Sequence, residues 1–150
     1  MGFKYKIPLA SFTLSTANSS LTIISGATRA LKITEIYLAG TGNASASNDI
    51  GLYRVATAGV TGSVPITPNP DNPAAPAASC TNFTAYATQP ALGAKLLDMP
   101  VNANGGVFYY RPMKGDELEI PAGNVAAGSV TLRSVAGTST VAGWITVEEI

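Results

Sequence analysis

Leu31-Lys32-Ile33-Thr34-Glu35-Ile36-Tyr37-Leu38-Ala39 alternates apolar and polar residues with a period of two. This is the pattern of a half-buried β-strand. Leu31 and Ile33 share one face. Ile36 and Leu38 resume the alternation one position out of step, and this slip near Glu35 predicts a β-bulge.

The same period recurs on both sides of that stretch. Phe3, Tyr5 and Ile7 alternate with Lys4 and Lys6, and Phe12 and Leu14 with Thr13 and Ser15. Leu21 and Ile23 make a short strand, Ile50 to Val55 another, and Phe83 to Tyr86 a further one. Val107 to Arg111, Leu118 to Ile120, Val130 to Val135 and Val141 to Ile150 continue the series. No segment keeps a helical period, although AKLLDM around Leu96 reads as a helical turn. The expectation is an all-β, antiparallel β-sandwich of jelly-roll type with about eight strands, in one domain over residues 1–150.

Glycine and asparagine punctuate the strands. Gly40-Thr41-Gly42-Asn43 and Asn104-Gly105-Gly106 tolerate positive φ. Lys114-Gly115-Asp116 and Pro121-Ala122-Gly123-Asn124 bracket residues 117–120 and predict a tight hairpin. Residues 64–79, VPITPNPDNPAAPAAS, carry Pro65, Pro68, Pro70, Pro73 and Pro76. Proline donates no ladder hydrogen bond, so this reads as an extended, stiff loop and not a central strand. Such a loop reads as a linker or disordered excursion or, the reading we favour, as an arm laid on a neighbouring molecule; the N-terminal stretch 1–8 is a second candidate arm. Removing Pro68 to Pro76 is then expected to leave the sandwich folded.

Composition narrows the function. The chain has no histidine, one cysteine (Cys80), and nine Lys and Arg balanced by nine Asp and Glu among 150 residues. Without histidine there is no Ser–His–acid arrangement, and zinc has almost no ligands. Asn69, Asp71 and Asn72 lack the spacing of a calcium loop. No cofactor and no metal is expected, and the protein is not expected to be an enzyme. Scattered basic residues at zero net charge disfavour nucleic acid. No apolar run is long enough for a membrane span, and the N-terminus is a poor signal peptide. No small-molecule substrate is expected. Cys80 reads as a small buried hydrophobe. Glu117 and Glu119 read as a solvated strand face, Glu148 and Glu149 as a soluble tail, and Trp144 as core. The triplets at Asn18, Asn43 and Asn82 match the glycosylation pattern but are not expected to be acceptors. Phe108, Tyr109 and Tyr110 are contiguous, so they cannot share one strand face.

Taken in order, these features resemble the small jelly-roll cement or decoration proteins of tailed-phage heads. The markers are LTIISGATRALKI (21–33), the proline-rich stretch VPITPNPDNPAAPAA, YYRPMKGDELEIPAG (109–123) and a final strand ending in acidic residues. The resemblance covers most of the chain. It implies a virion structural protein on the outer capsid surface, assembled in the host cytoplasm. Its partners would be a second or third copy of itself and the major capsid protein. The candidate contact residues are Phe3, Tyr5, Pro65, Pro68, Pro70, Asp71, Pro73, Pro76, Tyr109 and Tyr110. The alternative is a glycan- or receptor-binding β-sandwich of a tail appendage, contacting sugar through Tyr109 or Tyr110.

Overall fold

A computed structural model describes residues 2–15, 20–42, 47–123, 128–136 and 138–150. The turn residues Asn43 and Asn124 and the triplet positions Asn18 and Asn43 lie outside the described residues.

The described chain forms twelve strands. They are β1 (Phe3–Ser15), β2 (Leu21–Ile24), β3 (Leu31–Thr41), β4 (Ser47–Thr57), β5 (Val60–Pro65) and β6 (Asn69–Pro70), followed by β7 (Thr81–Thr88), β8 (Ala91–Asn102), β9 (Asn104–Tyr110), β10 (Leu118–Ile120), β11 (Val130–Ser134) and β12 (Thr138–Glu149). Two antiparallel sheets face each other as a β-sandwich. One runs β10-β3-β12-β1-β6, with β9 also on β3, and the other runs β5-β7-β2-β11-β4-β8.

Alternation decides which side chains the sandwich buries. Tyr5, Ile7 and Leu9 from β1, Ile36 and Leu38 from β3, and Ile145 and Val147 from β12 enter one core with Leu21, Ile23, Ile50, Leu52, Val130 and Leu132 of the second sheet. Each such side chain contributes about 1.5–3 kcal/mol on leaving water. The slip anticipated near Glu35 is a bulge. Thr146 pairs with Glu35 but Val147 pairs with Ile33, so one residue of β3 is extra and the inward set changes parity. A second bulge, between Leu9 and Phe12, joins what read as two N-terminal strands into one.

Three sequence expectations are corrected. The AKLLDM stretch is not a helical turn but part of β8, paired along β4, with Met99 and Val101 turned into the core. The segment after Tyr110 is not a hairpin. Both β9 and β10 pair with β3, at Ile36–Thr41 and Leu31–Ile33, so residues 111–117 are an outward excursion from one interrupted edge line. Gly115, at φ 103°, takes the left-handed turn there. Residues 3–8, expected as an arm, belong to β1 and pair with β12.

Candidate functional site

The proline-rich segment crosses from one sheet to the other. It leaves β5 at Pro65 on the edge of the second sheet, pairs as β6 with the edge of the first, and returns to β7. Tyr5 meets Pro70 and Lys6 meets Asn69, and the Asp71 N–H donates to the Lys4 carbonyl at 3.0 Å. The prolines are tolerated because each short strand lies on an edge. Ile66 and Ala78 pack against the core. The segment is therefore a strap over its own sandwich, with Pro65, Pro70, Asp71, Pro73 and Pro76 exposed and Pro68 half-buried.

The remaining contact candidates divide sharply. Tyr5 is 0% exposed and donates from its hydroxyl to the Pro76 carbonyl at 3.0 Å. It is a core residue that ties down the strap, not a surface contact, because it shares the inward parity of Ile7 and Leu9. Burial, together with the nearby Glu149 carboxylate, raises its pKa above the ordinary phenol value. Phe3, one step nearer the end of β1, is exposed beneath the Arg29 guanidinium. Tyr109 is 54% exposed, whereas Tyr110 turns inward and packs on the core with Phe108.

Glu149 is the largest departure from the sequence reading. It is 2% exposed and accepts from the Ser79 N–H at 2.6 Å, the Ser79 hydroxyl at 2.9 Å and the Cys80 N–H at 3.1 Å. Arg29 completes the set at 3.1 Å. A carboxylate is buried only when its lone pairs are met in this way. Its parity with Ile145 and Val147 is the signal in the sequence that marks it as inward. Cys80 is buried as expected, and desolvation, with the Glu149 charge beside it, pushes its thiol up to about 11. The Asn82 side chain is buried and donates to the Ile66 carbonyl at 3.3 Å, so this triplet offers no accessible acceptor. Glu119 is exposed. Glu117 is half-buried, caps the Gly115 N–H at 2.7 Å and lies 3.9 Å from Lys32.

Trp144 likewise has outward parity and is not core. It stands in a register row running Pro8, Trp144, Tyr37, Tyr109 across β1, β12, β3 and β9. Tyr37 stacks on it at 4.4 Å. Its indole N–H donates to Glu35 at 2.5 Å, and the Tyr109 hydroxyl reaches the same carboxylate at 3.4 Å.

Of the concavities lined by β1, two lie beside its middle, between residues 6 and 13. The larger, about 630 Å³, is a groove between β1 (Pro8–Thr13), residues 65–67 and Thr84–Ala85 of β7. On this side β1 pairs only at Tyr5 and Lys6, so among the described residues its edge from Ile7 to Leu14 has no strand partner. Ala85 holds φ 58° where β7 passes the groove, a conformation uncommon outside glycine. The smaller, about 280 Å³, is a slot between Trp144 and residues 69–71. Among the described residues no cluster of three or more His, Cys, Asp or Glu could hold a metal ion.

Comparison with known proteins found no matching family model, no matching curated protein and no matching solved structure.

Proposed function

We propose that this chain is a virion structural protein, a capsid decoration protein that binds the outside of a shell of major capsid subunits and stabilises it, itself associated as a dimer or trimer. The groove beside β1 carries the reading. An open strand edge flanked by an apolar groove suits β-strand addition, in which an extended partner segment bonds to the main chain and seats alternate side chains. Pro8 and the bulge at Leu9–Phe12 blunt the same edge against indiscriminate pairing.

Strand order supports the jelly-roll part of the reading. In the first sheet β1 lies beside β12, β12 beside β3, and β3 beside the β9–β10 line; the second sheet contains β2-β11-β4-β8. A double Greek key would give this order, with β5, β6 and β7 inserted on the side of β1 and β2. A protein that binds only the assembled shell favours assembly by linkage, without catalysis.

The test mixes purified protein with shells of the major capsid protein of the same particle. Bound protein after sedimentation and the temperature of shell dissociation are measured. Wild-type protein is expected to co-sediment and to raise that temperature. Ala10→Arg, which projects a charged chain from an exposed position into the groove, is expected to abolish both. Wild-type protein that stays in the supernatant overturns the reading.

A further inference from the structure

We propose that the slot between Trp144 and the Asn69–Asp71 segment binds a single pyranose ring, the terminal sugar of a glycan. This goes beyond the capsid reading and does not depend on it.

The slot has a fixed aromatic wall. Because β12 lies between β3 and β1, Tyr37 occupies the β3 side of the indole and leaves the other face toward the slot. The Trp144–Glu35 hydrogen bond fixes the ring in its plane. Little side-chain freedom remains to be lost on binding. Gly143 places no side chain beside the ring, and Pro8 forms an apolar floor. The opposite wall is pinned to β1 by the Lys6–Asn69 and Tyr5–Pro70 pairings.

The polar groups select the ligand class. Lys6 offers only donors, Asp71 only acceptors, and Asn69 both. Among the described residues neither Lys6 nor Asp71 is in an ion pair. The Lys6 Nζ lies over the indole, 5.7 Å from its centroid, so it swings aside as a sugar ring takes that face and then donates to the ring's hydroxyls. An anion would meet the Asp71 charge and a cation the Lys6 charge. A neutral ring with neighbouring hydroxyls accepts from one and donates to the other, while its C–H face lies on the indole. The slot volume of about 280 Å³ suits one such ring and not an oligosaccharide.

Trp144 is the only tryptophan, so intrinsic fluorescence reports on the slot directly. The purified chain is titrated with the methyl glycosides of glucose, galactose, mannose and N-acetylglucosamine. At least one is expected to give a saturable change with a midpoint on the order of millimolar. Asp71→Asn and Lys6→Met, both at exposed positions, are expected to raise that midpoint about tenfold with the circular dichroism unchanged. No saturable change with any of the four overturns the proposal. So does a change that both variants leave intact, or saturation by a proline-rich peptide with none by the glycosides.

Discussion

The backbone N–H of Ser79 donates to Oε1 of Glu149 at 2.6 Å, across a sequence separation of 70. This bond fastens the far end of the proline-rich strap to the last residue of β12. Beside it, the Tyr5 hydroxyl holds the Pro76 carbonyl. The strap is thus latched by one core residue from the first strand and one from the last. Excising Pro68 to Pro76 would remove β6 and the Tyr5 acceptor, so it would disturb the sandwich as well as any surface contact. Point substitutions at exposed strap residues are the cleaner probes.

Glu149→Ala is expected to destabilise the protein by about 3 kcal/mol, because the buried Cys80 N–H and the part-buried Ser79 N–H and hydroxyl lose their acceptor. Glu149→Gln keeps an acceptor oxygen and should cost about 1 kcal/mol. Arg29 has a side chain 41% exposed, so its charge adds little to either figure. Urea denaturation midpoints decide the matter. A loss below about 0.5 kcal/mol for the alanine variant would show that the latch is not structural.

Cys80 gives the fold a pH dependence at the alkaline end. Its folded pKa is raised from 9.0 to about 11, so the folded state favours the protonated thiol. Its contribution is fully present below pH ~9 and is lost as pH rises toward about 11, to an extent of about 2–3 kcal/mol. Cys80→Ala should remove that part of the decline in a pH series of denaturation curves. The native thiol should also resist a disulfide reagent at pH ~8 and react once urea unfolds the chain. Rapid labelling of native protein would contradict the burial.

The Tyr37–Trp144 stack is expected to show a coupling energy of about 1 kcal/mol in a double-mutant cycle with Tyr37→Ala and Trp144→Ala. Glu35→Ala should shift the Trp144 emission to the red as the indole loosens. Purely additive single-variant effects would mean that the rings stack without supporting one another.

Gly143→Ala is expected to cost about 2 kcal/mol or more. Gly143 lies at φ 149°, and a Cβ there would run into the Tyr37 carbonyl of the neighbouring strand. Thermal unfolding measures the loss. An unchanged melting temperature would mean that β12 can shift relative to β3 at this point.

The sequence alone determined the class of fold and much of its detail. Period-two alternation is a local property, so the strands around Leu31, Ile50 and Val130, and even the bulge at Glu35, were legible one segment at a time. Parity also held the information that Glu149 faces inward and Trp144 outward, but their chemistry argued the other way. A carboxylate near a chain end reads as solvated, and a tryptophan reads as core. Only the tertiary structure decided otherwise. It brought the Ser79 and Cys80 amides to Glu149 and set Tyr37 against the indole, and these partners are far away in the chain. The course of residues 64–79 was undecidable for the same reason. Proline excludes a central strand but does not say which edges a stiff segment will find, and that depended on β5 forming the edge of one sheet while β1 left an edge open for β6 in the other.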